Sequence, residues 1–293
     1  MRESLGTILT AMVTPFDERL AVDHGRLAAL AAYLLDHGSD GLVVAGTTGE
    51  SPTLTDDEKT AMFRTVVQAV GGGAPVIAGT GSNDTAHSVE LTKAAERCGV
   101  DAVLVVTPYY NKPPDRGLLA HFRAVAAATS LPVIVYNIPG RCVVNLSPEV
   151  LAELAAVDNI VAVKQANPDL NETRRLRELC DLAVYAGNDD MLFDVLVMGG
   201  AGGICVASHV VGPRFAEMAR LVRAGDLAAA RALDESLREL YRTLFITSSP
   251  IPVKAALNLL GQDVGGLRLP LLSATEEETA AVSAELHRLG LLS

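Results

Sequence analysis

The sequence predicts an α/β fold, a (β/α)8 TIM barrel followed by a C-terminal all-helical extension. Three observations lead there. Short β-rich apolar runs alternate with amphipathic helical patterns along the first three quarters of the chain, the alternation repeats eight times, and beyond Arg223 only helical patterns remain. A doubly wound sheet is the competing architecture. Against it, the first strand leads into Thr14-Pro15-Phe16-Asp17, and no G-x-G-x-x-G fingerprint opens a helix. The expected division is a barrel domain over 1–223 and a helical domain over 224–293.

Each element has its own justification. The strand candidates Thr7–Val13, Gly41–Ala45, Pro75–Ala78, Ala102–Val106, Pro132–Tyr136, Ile160–Lys164, Ala183–Ala186 and Gly203–Val206 are compact runs of Val, Ile, Leu and Ala, as expected of strands buried on both faces. Between them, helical spacing covers His24–His37, Thr55–Val70, Asp84–Cys98, Asp115–Thr129, Ser147–Ala156, Asp169–Cys180, Asp190–Met198 and Gly212–Arg223. Thr55 ahead of Asp56-Asp57-Glu58, and Ser147 ahead of Pro148-Glu149, are helix-start signals. The later helices are expected over Leu227–Phe245, Pro252–Leu260 and Ala274–Leu289, with a loop around Gly265-Gly266-Leu267-Arg268.

At 293 residues the chain suits two average domains or one large barrel, and the 49% of apolar residues supply a sizeable core. A net charge of −11 without any Lys/Arg run argues against a nucleic-acid or anionic-membrane surface, so small anionic substrates need local positive groups. No stretch reaches about 18 apolar residues and the N-terminus lacks a signal-peptide pattern, so a cytoplasmic enzyme is expected. Cys98, Cys142, Cys180 and Cys205 are scattered without C-x-x-C spacing, which fits free thiols of a reducing compartment. The six histidines show no metal-binding spacing, and His209 reads as structural.

Chemistry in such barrels sits at the C-terminal mouth. Strand two opens into Gly46-Thr47-Thr48-Gly49-Glu50-Ser51, whose hydroxyls and backbone N–H groups suit a small carboxylate or, alternatively, form an ordinary strand-to-helix turn. Strand four leads to Tyr109-Tyr110, strand five to Tyr136 and on to Arg141, strand seven to Gly187-Asn188-Asp189, strand eight to Ile204-Cys205. A phenol such as Tyr136 beside an amine can donate and take back protons. Arg141 is either a fork for a second carboxylate or a surface salt bridge.

The central residue is Lys164, at the end of the run Ile160-Val161-Ala162-Val163. Its ammonium must find a partner, reach water or lose its proton. A neutral amine there can form a Schiff base with a carbonyl substrate. The bland alternative is a stem on the barrel wall with its head snorkelling to solvent.

The ordered motifs GTTGES, TPYYNKP, YNIPGR, the Val-Lys of strand six, GNDD and GGICVASH, with SPIPVKAALNLLG and GGLRLPL further on, resemble the dihydrodipicolinate synthase family of pyruvate-dependent class I aldolases over essentially the whole chain. The resemblance implies that Lys164 forms the imine with pyruvate and that Tyr136 shuttles protons, with Thr47 and Tyr110 completing a relay. It implies that Thr48 and the backbone around Ile204, beside Gly187, hold pyruvate, and that Arg141 receives the carboxylate of L-aspartate 4-semialdehyde. It implies no metal or organic cofactor, and a homotetramer in which Tyr110 crosses into the neighbouring subunit's site.

Two departures stand out, Gln165 where the family more often has an acidic residue, and Asn188 where it has Asp; both are expected near the second substrate. The region matching the family's lysine-effector cleft offers Asp56, Lys59 and His87, so weak or absent lysine feedback is expected. The competing functions are retro-aldol cleavage of a 2-keto-3-deoxy sugar acid or an N-acetylneuraminate lyase-like reaction, disfavoured by Arg141, and a non-catalytic barrel that binds a keto acid.

Overall fold

The computed structural model describes residues 5–292. Eight strands, β1 (Ile8–Ala11), β2 (Gly41–Val44), β3 (Val76–Gly79), β4 (Ala102–Val106), β5 (Val133–Asn137), β6 (Ile160–Gln165), β7 (Ala183–Ala186) and β8 (Gly202–Cys205), pair in parallel and in sequence order into a closed barrel. The crossover helices are α1 (His24–Asp36), α2 (Asp56–Val70), α3 (Thr85–Arg97), α4 (Asp115–Ala126), α5 (Pro139–Cys142), α6 (Pro148–Leu154), α7 (Leu170–Leu179), α8 (Leu192–Val197) and α9 (Ser208–Arg223). The chain then runs through α10 (Leu227–Thr243), α11 (Ile251–Leu259) and α12 (Glu276–Arg288). Among the described residues no helix is long and apolar enough to cross a membrane.

Side-chain alternation along the strands divides the core in two. One set faces the helices, including Val44, Val103 and Val163, and shares a cluster with Phe122 of α4. The other fills the barrel itself with Leu9, Val43, Ile77, Leu104, Ile134, Ala162 and Ile204, capped towards the mouth by Tyr136. On β6 this alternation sends Ala162 and Ala166 inward, so Lys164 between them shares their face while Gln165 turns outward.

Helix starts follow the expected chemistry. Thr55 accepts from Glu58 N while Glu58 reaches back to Thr55 N, a full capping box, and Ser147 caps α6 through Val150 N. Two expectations need correction, and one element was not expected. The helix expected over Asp190–Met198 is a 3-10 turn at Asp189–Met191 followed by α8, because the Asp189 side chain is drawn to the backbone of the β8 end. The one expected from Gly212 starts at Ser208, with a break at Val211 where Gly212 passes against His37 O and Pro213 follows. The turn α5, which carries Arg141, has too few residues for any periodicity to reveal.

Candidate active site

Parallel register places Tyr136 opposite Lys164, and Lys164 opposite Tyr185 on the far side. Lys164 is 4% exposed and Tyr136 5%. The Lys164 ammonium nitrogen lies 4.4 Å from the centre of the Tyr136 ring, a cation–π contact, and takes no hydrogen-bond partner among the described residues. A buried amine held by a ring face rather than locked into an ion pair remains available to a ligand carbonyl.

Beside Tyr136 opens a cavity of about 480 Å3 whose wall also includes Thr47, Tyr109, Ile138, Arg141 and Cys142, while Lys164 lies behind the Tyr136 ring and outside that wall. Thr47 enters from the turn after β2. Within that turn the amides of Gly49 and Ser51 donate to Gly46 O (3.1 and 3.3 Å) and that of Glu50 to Thr47 O (3.1 Å). The Thr47 and Thr48 amides take no part in these bonds; Thr47 lines the cavity, whereas Thr48 is 4% exposed and does not. Arg141 sits on α5 with its guanidinium 3.5 Å from Ser249 O, a loose tether that leaves its other donors uncommitted.

The remaining expected residues are placed differently. Tyr110 is 89% exposed, with φ of +72°, and is absent from the cavity wall. The Tyr136, Thr47 and Tyr110 hydroxyls are not hydrogen-bonded to one another within one chain. The Ile204 side chain packs inside the barrel against the group that contains Tyr136 and Tyr185. Gly187 lies where an added Cβ would stand 2.7 Å from Ala166 Cβ and 2.9 Å from Ala166 N, so glycine is required there by packing.

Neither departure from the family pattern faces the cavity. Gln165 Oε1 accepts from Asn137 Nδ2 (2.9 Å) and Asn167 N (3.1 Å), within a network that runs through Asn145 to Glu172. Asn188 Nδ2 reaches back towards Ala166 O at 3.4 Å. Both residues, expected near the second substrate, thus stand outside the wall of this cavity: Gln165 turns outward from the barrel and Asn188 is held towards Ala166 O.

The buried titratable groups sort into chemistry and scaffold. Asp189, 2% exposed, accepts from Val206 N (2.9 Å) and Ala207 N (3.0 Å). Burial raises its carboxyl to about 6, against the pull of those amides and of the Lys164 charge. His209 is wholly buried; its Nδ1 donates to Val206 O (2.8 Å) and its Nε2 accepts from Val13 N (3.2 Å), which fixes one neutral tautomer, and burial lowers it to about 4. His209 thus ties the ends of β1 and β8 together, the structural role expected of it. Burial pushes the Cys142 thiol up to about 11, and the four cysteines are free. Among the described residues no group of three or more His, Cys, Asp or Glu side chains could hold a metal ion.

A family model described as the Dihydrodipicolinate synthetase family matches residues 4–289. The chain belongs to this family. The 4-hydroxy-tetrahydrodipicolinate synthase of Moorella thermoacetica is 53% identical over 291 residues, spanning 98% of this chain and 99% of that protein. The solved dihydrodipicolinate synthase of Bacillus anthracis superposes with a TM-score of 0.95 at 46% identity, covering 97% of this chain and 98% of that one. That of Cyanidioschyzon merolae, solved with lysine bound, gives 0.97 at 43% identity, covering 99% and 100%.

Several polar residues that shape this dihydrodipicolinate synthetase family site were not singled out by the sequence. Asp189 stands inside GNDD, Glu50 inside GTTGES and Asn137 inside YNIPGR, yet a strand-end position alone does not say which of two neighbours turns inward. Lys254 was missed as well, although one cation in the apolar run IPVKAALNLL is a signal that could have found it, since such a residue must find buried partners.

Proposed function

We propose that the protein condenses pyruvate with L-aspartate 4-semialdehyde to give 4-hydroxy-tetrahydrodipicolinate, the entry reaction to lysine and diaminopimelate. The observation that carries this reading is a buried amine on Lys164, without a hydrogen bond among the described residues, held against the ring of Tyr136, which lines a cavity together with Thr47 and Arg141.

The Lys164 amine adds to the keto carbon of pyruvate; water leaves and a protonated imine remains. That imine is a far better electron sink than a ketone, so the adjacent methyl group loses a proton and becomes an enamine carbon. The enamine attacks the aldehyde carbon of the second substrate, whose own amine then displaces Lys164 and closes the ring. Tyr136 moves the protons, with Thr47 and Tyr110 as its relay. Thr48 and the Ile204 backbone, with Gly187 beside them, hold the pyruvate end. Arg141 receives the carboxylate of the semialdehyde. Every step uses side-chain amine and hydroxyl chemistry, so neither a metal nor an organic cofactor enters.

The exposure of Tyr110, whose hydroxyl has no hydrogen-bond partner among the described residues, supports a homotetramer built from tight dimers, in which this side chain completes the neighbouring site. We place the enzyme in the cytoplasm. Asp56 is already engaged by His87 at 2.8 Å and by Lys59 at 3.8 Å, which supports weak or absent inhibition by lysine. Arg141 on the cavity wall favours a charged acceptor over the polyol chain of a sugar acid. The test is turnover: aspartate semialdehyde with pyruvate gives product, and cleavage of a 2-keto-3-deoxy sugar acid without that activity reverses the assignment.

A further inference from the structure

We propose that the buried Glu50–Lys254 ion pair is a positioning device that fixes the Thr47–Thr48 turn for the carboxylate of the keto acid, which makes α11 of the C-terminal helices part of the substrate site. The proposal deepens the pyruvate reading above and rests on it.

Glu50 and Lys254 are 3% and 1% exposed, and neither lines the cavity. Every polar atom of the pair is used. Lys254 Nζ donates to Glu50 Oε1 (3.0 Å), Thr14 O (2.7 Å) and Gly266 O, and sits over the Phe16 ring at 4.4 Å. Glu50 Oε2 accepts from Arg268 N at 3.0 Å. Burial lowers the Lys254 ammonium to about 8, with Glu50 the main group opposing that fall.

The pair reaches the turn through the backbone. Glu50 N donates to Thr47 O, and Thr14, whose carbonyl Lys254 holds, donates its hydroxyl to Gly49 O at 2.6 Å. The turn is also strained. Ala45 and Glu50, at its two ends, have φ of +54° and +57°, a conformation that side-chain-bearing residues adopt only when their surroundings impose it. From below, Gly79 comes so close that an added Cβ would stand 2.3 Å from Ala45 O. A buried ion pair is weak evidence for stability, since apolar residues of similar volume often serve as well. Its position, on the two sides of a strained turn with free amides, points instead to geometry.

The experiment uses the full-length protein with Glu50→Gln, Lys254→Met and the double variant Glu50→Leu/Lys254→Met, the last being an apolar pair that repacks where a single change fails to fold. Three quantities are read: the pyruvate dependence of borohydride trapping, the separate KM values for pyruvate and aspartate semialdehyde, and hydrogen exchange of the amides of residues 46–51 without substrate. We expect the pyruvate KM and the half-saturation of trapping to rise at least about tenfold, with the aldehyde KM within about threefold and exchange at 46–51 faster, while the double variant keeps its melting temperature. A folded double variant with wild-type pyruvate KM and unchanged exchange overturns the proposal. So does a loss in which both KM values and the melting temperature move together. If the wild-type protein traps no pyruvate while exchange at 46–51 still quickens in the variants, the pyruvate reading falls and the positioning role stands.

Discussion

Replacing Tyr136 by Phe removes one oxygen and nothing else that the fold uses. The hydroxyl has no hydrogen-bond partner among the described residues, so no buried group is orphaned, and the ring beneath Lys164 stays at its 4.4 Å contact. The stability change should therefore stay under about 1 kcal/mol. Catalysis loses the proton shuttle, a contribution of about 10²–10⁴ in rate, or about 3–5 kcal/mol of barrier. By contrast, Tyr136→Leu also removes the cation–π contact, about 0.5–2 kcal/mol, and leaves part of the ring's volume unfilled near the mouth. The assay is steady-state turnover of pyruvate and aspartate semialdehyde, with thermal melts of both variants. The Phe variant should melt like the wild type and turn over at least about a hundredfold more slowly, and the Leu variant should lose stability as well. A Phe variant within about threefold of wild-type kcat would refute the assignment of Tyr136 as the shuttle.

Other perturbations test other parts of the site. Arg141→Ala should raise the KM for aspartate semialdehyde by about 10–100-fold, the worth of a charge-assisted hydrogen bond, and leave the pyruvate KM unchanged in the same steady-state assay. Gly187→Ala should force a Cβ to within 2.7 Å of Ala166 Cβ and cost about 1–3 kcal/mol, read as a melting temperature lower by several degrees. His209 and His121 are both held neutral by burial, with folded values of about 4 against an ordinary 6.5. Below 6.5 the unfolded chain binds protons that the native one refuses, so their contribution is complete above pH 6.5 and is lost as the pH falls towards 4. Urea unfolding at pH 7 and pH 5 should show this loss, and His121→Leu, which also fills a site where Nε2 has no partner, should flatten it. Asp189 acts with the opposite sign: its carboxyl is raised to about 6, so its burial cost disappears between pH 6 and 4, and the comparison with the His121 variant separates the two.

The barrel was legible because each strand is a run of apolar residues and each helix carries a 3.6-residue stripe, and both patterns survive without knowledge of neighbours. Lys164 and Tyr136 were legible as a pair because both end strands of a closed barrel, where adjacent ends must converge. The face of a strand-end residue was less legible. Gln165 follows Lys164 directly, yet the two point to opposite sides of β6, and what lies behind Gln165 is an amide network assembled from β5, α7 and the loops between. The link from Glu50 to Lys254 spans 204 positions, and local pattern carries no record of a contact at that distance. The Tyr110 side chain shows a further limit, for the relay proposed for it through another copy has no counterpart within the single chain, where the phenol is exposed.

The most direct measurement is reduction with borohydride in the presence of pyruvate, followed by mass mapping of the modified peptide. The expected result is one reduced pyruvate adduct on Lys164, absent from Lys164→Ala and from Lys164→Arg, whose guanidinium stays protonated. An unmodified chain, or an adduct that maps to Lys59 or Lys254 instead, would contradict the central claim.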